Sequence, residues 1–222
     1  MIVIYGAGAI GGTIGGRLAQ AGHEVVLIAR GAHAAALREH GLRMVSPDDD
    51  TTVRVAVVEH PRELAIGDAD TVILAMKSQD TESALAALTG EPTIVCAQNG
   101  VANERAALRR FARVIAMCVM MPVTHETPGV VEIASAPITG LLDIGLYPSG
   151  SDAGVDALAA TLASATFESI ARTDIMRWKY KKLLLNLGNA LEAATGRIQS
   201  PEAQAIADRA RAEATAVFAA AG

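Results

Sequence analysis

Six residues close to the N-terminus, Gly6-Ala7-Gly8-Ala9-Ile10-Gly11, follow directly on the apolar run Ile2-Val3-Ile4-Tyr5 and open a helical pattern over residues 9–21. Glu24 to Ala29 then reads as a second strand, so strand, helix and strand succeed one another within roughly 30 residues. In that setting a G-x-G-x-x-G spacing restricts the fold sharply. Gly6 permits a tight turn, Gly8 lets a pyrophosphate approach the backbone, and Gly11 lets the helix pack closely on the strand. The helix start adds N–H groups without intrahelical partners and the positive end of the helix dipole, and both favour an anion. The turn therefore nominates Gly6, Ala7, Gly8, Ala9, Ile10 and Gly11 as a dinucleotide-binding set, against the competing reading of a glycine-rich turn that holds no ligand. Gly12, Gly15 and Gly16 read as structural, thinning the helix where it meets its neighbours.

The residue after the second strand discriminates between cofactors. NAD enzymes usually place Asp or Glu there, to accept from the ribose 2′-hydroxyl. Here Val25-Val26-Leu27-Ile28-Ala29 ends in Arg30, and a guanidinium suits a 2′-phosphate by charge and by the geometry of its fork. NADP(H) is the expected cofactor, unless Arg30 is simply a solvated loop charge.

Further apolar strands are expected at 71–75, 93–97 and 113–120, separated by helical patterns at 80–89 and 102–110. Such alternation predicts an α/β fold, a Rossmann-type doubly wound and mostly parallel sheet with helices on both faces. Residues 42–58, divided by Pro47 and the acidic run Asp48-Asp49-Asp50, read as a hairpin-like insertion. Val130 to Ile133 and Ile138 to Ile144 read as additional antiparallel strands near the sheet edge, followed by a helix at 153–163 and a strand at 167–170. At Thr173-Asp174 the pattern changes to continuous helix, 174–195, with Gly196 as terminator and Ser200-Pro201-Glu202 starting another helix to about residue 220. The expected domains are 1–172, NADP-binding, and 173–222, the start of an all-helical second domain.

Composition narrows the function classes. The longest apolar run, Val114 to Pro122, is about half of the roughly 20 residues a membrane-spanning helix needs. Met1 runs straight into the first strand without a basic leader, so a cytoplasmic protein is expected. A formal net charge of −5 argues against a nucleic-acid partner, which requires clustered Lys and Arg. Cys96 and Cys118 sit in apolar runs and read as buried free thiols, and the five histidines show no paired metal-ligand spacing.

Taken together, Gly6 to Gly11, Arg30 in "LIARG", Lys77 in "AMKSQDT", Asn99 in "CAQNGVANE" and Lys182 to Asn186 in "KKLLLN" resemble the ketopantoate reductase (2-dehydropantoate 2-reductase) family. The resemblance runs the length of the chain, in order. It implies NADPH-dependent reduction of ketopantoate, or a related small 2-keto acid, in pantothenate biosynthesis. It also implies that Lys77 and Asn99 face the cofactor and the reacting centre, that Lys182 is the catalytic lysine, and that Asn186 binds substrate. Asn99, Asn186 and Lys182 thus form the expected catalytic set. Lys182 and Asn186 are four residues apart and share a helical face, with Leu183, Leu184, Leu185 and Leu187 expected to bury the remainder. A lysine beside a developing alkoxide can stabilise its charge and deliver the proton, and burial next to the nicotinamide would lower its pKa toward neutrality.

The sequence departs from the family pattern in two places. Ala190 stands where a second asparagine is usual, with Asn189 one residue early, and the later segment that supplies a serine and a glutamate to the substrate pocket does not occur before Gly222. Two alternatives therefore stay open: another oxidoreductase of the β-hydroxyacid dehydrogenase type, and a non-catalytic NADP(H)-binding module. Arg30 and the "KSQDT" and "QNGV" segments weigh against the first. The apolar helices 174–221 suggest a homodimer.

Overall fold

The computed structural model describes residues 1–198 and 200–221. The chain divides into two compact units, Met1–Met176 and Arg177–Gly222. No helix among the described residues is long and apolar enough to cross a membrane.

In the first unit the opening strand–helix–strand is β1 (Ile2–Tyr5), α1 (Ala9–Gln20) and β2 (Val25–Ile28). After α2 (Gly31–His40) come β3 (Leu42–Val45), β4 (Asp50–Val53) and β5 (Ala56–Val58). Next are β6 (Thr71–Leu74), α3 (Thr81–Ala87), β7 (Thr93–Cys96), α4 (Asn103–Leu108) and β8 (Val114–Met120). The unit closes with β9 (Val123–Thr124), β10 (Val130–Ile133), β11 (Gly140–Leu146), α5 (Ala153–Ala163) and β12 (Phe167–Glu168).

Eight strands form one sheet in the order β12-β11-β8-β7-β6-β1-β2-β5. From β1 the chain builds outward through β2 to β5, then returns to the other side of β1 to lay down β6, β7 and β8, all parallel. The direction of growth thus reverses at β1, which opens a crevice at the carboxyl ends of its neighbours, where open α/β sheets bind ligands. The central strands are short unbroken apolar runs, Val25–Ile28 and Ile94–Cys96 among them, because helices cover both faces and neither face meets water.

A second sheet, β4-β3-β10-β9, lies on the far side of α1. The glycines of α1 are what allow a helix to sit between two sheets. A Cβ on Gly15 would stand 2.5 Å from Leu27 Cδ2 of the large sheet, and one on Gly16 would stand 2.5 Å from Met44 Sδ of the small one. Crowding of that kind costs roughly 1–3 kcal/mol in a packed core, so these positions are thinned for packing as expected.

Several expectations are corrected. Residues 42–53 do form a hairpin, but it is one half of the second sheet, and β5 joins the main sheet in parallel beside β2. Val130–Ile133 is not an edge strand of the main sheet; it pairs parallel to β3 and antiparallel to β9. Alternation records which face of a strand is buried and not its partner, so the second sheet left no mark in the sequence. β11 does run antiparallel to β8. Helix α2 was also not legible: in Gly-Ala-His-Ala-Ala-Ala-Leu-Arg-Glu-His only Ala34 and Leu37 are buried, too narrow a stripe to show a helical period. Cys96 and Cys118 are buried, as expected.

The second unit is built from α6 (Ile175–Thr195), which starts at the end of the first unit, and α7 (Pro201–Ala221). Gly196, at φ +77°, ends α6, its N–H donating to the Glu192 carbonyl at 2.8 Å. Ser200 caps α7, its hydroxyl oxygen accepting from the Ala203 N–H at 3.1 Å. Tyr180 of α6 and Phe218 of α7 meet edge to face, with ring centroids 5.2 Å apart. The expected burial of the leucine run fails at Leu185, which is 56% exposed, because three consecutive leucines already span more than one helical face.

Candidate functional site

The three glycines of the turn answer to three different constraints. Gly6 has φ +98°, and a Cβ there would lie 2.8 Å from the Met76 nitrogen, so both its conformation and the approach of the β6 return loop demand glycine. At Gly11 a Cβ would collide with the Gly6 carbonyl oxygen and stand 2.8 Å from Ile4 Cγ2, so the helix could not settle on β1. Gly8 differs. It caps α1 in an extended conformation, φ −69°, that any residue adopts, and a Cβ there would meet no protein atom within 4 Å. Nothing in the protein requires glycine at this position. The open space above it is the floor of a cavity, and a ligand lying against the backbone would be excluded by the first carbon of any side chain.

That cavity measures about 290 Å³ and lies in the crevice at the end of β1. Gly6, Ala7 and Gly8 line one side, and Arg30 and His33 another. Ligand pockets run from roughly 300 to 1,000 Å³, so its size suits one end of a dinucleotide. Arg30 caps the start of α2 and is exposed, with its side chain on the cavity. Burial raises the Tyr5 phenol above its ordinary range, Arg30 opposes that rise and Asp80 adds to it, so a cation and a carboxylate flank the same ring. The other carboxylate on the cavity, Glu59, is paired with Arg38 at 2.7 Å. Among the residues lining the cavity Arg30 is the one arginine or lysine, a cation whose planar fork suits a phosphate. The residues present therefore fit the adenosine and pyrophosphate end of NADP(H).

Lys77 and Asn99 lie elsewhere on the same edge of the sheet. In the register of β6 and β7, Leu74 pairs with Cys96, and each of these two residues comes three positions later in its return loop. Both are exposed, and neither lines the cavity around Arg30. Ala9 and Ile10 begin α1 beneath the turn, outside the cavity lining. Lys182 and Asn186 belong to α6 in the second unit, one helical turn apart. Lys181, a competitor for the catalytic role, holds its Nζ 5.9 Å from the centroid of the Trp178 ring.

Sequence reasoning missed Glu59, His60, Met76 and Asp80, which enter the cavity because they follow β5 and β6 at their carboxyl ends. Recognising β5 as a strand of the main sheet would have marked the first two. It also missed His33, one turn beyond Arg30 on α2. Its Nδ1 accepts from the Gly129 N–H at 2.9 Å, so Nε2 carries the proton and donates to the Ala7 carbonyl at 2.7 Å. One neutral imidazole thus ties the phosphate turn to the loop before β10 and fixes the Ala7–Gly8 peptide.

Burial pushes the His33 imidazole below its ordinary range; the Ala7 hydrogen bond opposes this and the neighbouring His125 reinforces it. The unfolded chain therefore takes up a proton first as pH falls, and the stability held above about pH 6.5 is lost on acidification. His33→Gln is expected to flatten that acid limb. In thermal melts between pH 7.5 and 5.5 the wild type should lose more of its melting temperature than the variant, and parallel slopes would contradict the assignment.

The chain as a whole has parallels among known proteins. Residues 2–148 match the family model described as "Ketopantoate reductase PanE/ApbA". The chain is 32% identical over 188 residues to the 2-dehydropantoate 2-reductase of Pyrococcus abyssi, an alignment covering 83% of this chain and 60% of that protein. To the 2-dehydropantoate 2-reductase of Halobacterium salinarum it is 34% identical over 204 residues, covering 87% and 64%. The crystal structure of a PanE/ApbA family ketopantoate reductase from Ralstonia eutropha superimposes with a TM-score of 0.87 at 33% identity, over 100% of this chain and 75% of that one. The chain thus spans somewhat under two thirds of the length of these two curated relatives. With residues 2–148 matched by the family model and the fold matched over the full length, the chain belongs to the ketopantoate reductase PanE/ApbA family.

Proposed function

We propose that the chain is an NADPH-dependent reductase of a small 2-keto acid, ketopantoate (2-dehydropantoate) before others, acting in pantothenate biosynthesis. The observation that carries this reading is the pairing at one cavity of Gly8, whose missing side chain leaves space only a ligand needs, with Arg30. The amides of the turn and the start of α1 take the pyrophosphate, and the Arg30 guanidinium takes the 2′-phosphate. The names of the curated relatives supply the substrate class.

When bound, the nicotinamide supplies a hydride to the keto carbon. Lys182 donates a proton from Nζ to the keto oxygen as negative charge develops there, so C=O becomes H–C–O–H and the lysine is left neutral. Asn186 hydrogen-bonds the substrate, and Lys77 and Asn99 hold the reacting end of the cofactor.

Two substitutions test separate parts of this reading. Arg30→Ala should weaken NADPH about 30-fold by calorimetry, the equivalent of a charge-assisted hydrogen bond of about 2 kcal/mol, while changing NADH less than about twofold. Equal losses for both nucleotides would remove Arg30 from 2′-phosphate recognition. Lys182→Ala should lower ketopantoate-dependent NADPH oxidation by roughly 10²-fold or more with NADPH affinity unchanged. A retained rate would take Lys182 out of the mechanism.

A further inference from the structure

Behind the loops that carry Lys77 and Asn99 lies a buried polar chain that neither cofactor binding nor packing alone explains. Gln98 Nε2 donates to Thr81 Oγ1 at 2.7 Å, and the Thr81 hydroxyl donates to Asn103 Oδ1 at 2.9 Å. Asn103 Nδ2 then divides its two hydrogens between the Ser78 hydroxyl and the Asn99 backbone carbonyl, each at 3.1 Å. The direction of the chain is fixed from its end, because the Asn99 carbonyl can only accept, so Nδ2 must face it and Oδ1 must face Thr81. Gln98, Thr81 and Asn103 are 5%, 3% and 4% exposed, so the Gln98–Thr81 and Thr81–Asn103 bonds are buried, while the two from Asn103 Nδ2 reach out to the exposed loop residues Ser78 and Asn99.

The placement of the last two bonds gives the chain its meaning. Ser78 is the residue after Lys77, and Asn99 is itself the second site residue. A single carboxamide at the start of α4 therefore spans the return loops of β6 and β7 and sets their separation.

We propose that Asn103 is a positioning residue, which holds Lys77 and Asn99 at the spacing required by the nicotinamide half of the cofactor. This rests on the assignment of those two residues to the reacting end of the cofactor. Asn103→Asp tests it with almost no change of shape. A carboxylate oxygen would replace Nδ2, repelling the Asn99 carbonyl while keeping an acceptor for the Thr81 hydroxyl.

The assay compares two probes on the full chain: NADPH, which spans both halves of the site, and 2′,5′-ADP, which reports the Arg30 end alone. Asn103→Asp should raise the NADPH dissociation constant about 10-fold and leave that of 2′,5′-ADP within about twofold. Ser78→Ala, which deletes one of the two bonds and disturbs the core less, should move NADPH in the same direction by two- to threefold. Loss of both probes together would show a general structural role and overturn the proposal. Wild-type affinities in both variants, with NADPH binding lost in Asn99→Ala, would overturn the role of Asn103 and leave the assignment of Asn99 intact. Wild-type affinities in Asn99→Ala and Lys77→Ala as well would overturn both.

Discussion

The first unit is organised around keeping one short stretch of backbone bare. At the end of β1 the chain must turn at once into α1, so that the first amides of the helix emerge in the crevice left where sheet growth reverses. Gly6 makes the turn possible, Gly11 brings the helix down onto β1, and Gly8 keeps the surface clear. Amide groups without intrahelical partners are normally satisfied by a cap or by water, and Gly8 brings no side-chain cap. The turn is preorganised for an anion in the sense that its donors are already aligned when the ligand arrives.

Such an arrangement is useful only if the backbone holds still. α1 is wedged between two sheets, Leu27 on one side and Met44 on the other, and it approaches both because its flanks are glycine. His33 holds the Ala7 carbonyl from outside, and the Gln98–Thr81–Asn103 chain holds the loops after β6 and β7. The support for the cofactor edge is thus polar and directional at the loops and apolar beneath them. Polar bonds suit the loops, since they fix orientation as well as distance.

How far this could be seen in advance depended on the range of the interaction. The opening β-α-β unit, the parallel strands at 71–74, 93–96 and 114–120, and the role of Gly15 and Gly16 follow from local pattern, and the structure agrees with each. Arg30 was singled out by its position after a strand, and it lines the cavity at the end of β1. His33 and Asn103 were not, because their partners lie 96 residues away at Gly129 and 25 and 22 residues away at Ser78 and Thr81. The second sheet escaped for the same reason: β5, β6, β7 and β8 of the main sheet intervene in the chain between β3 and β10, and no period records that pairing.

The central claim is that Gly8 is glycine for the sake of a ligand and not of the fold. Gly8→Ala isolates it, because the new methyl would meet no protein atom within 4 Å and the backbone conformation suits any residue. Calorimetry and thermal melting on the same samples should show NADPH affinity reduced about 10-fold or more, with the melting temperature of the free protein essentially unchanged. Unaltered affinity, or a loss matched by a comparable fall in stability, would contradict the account.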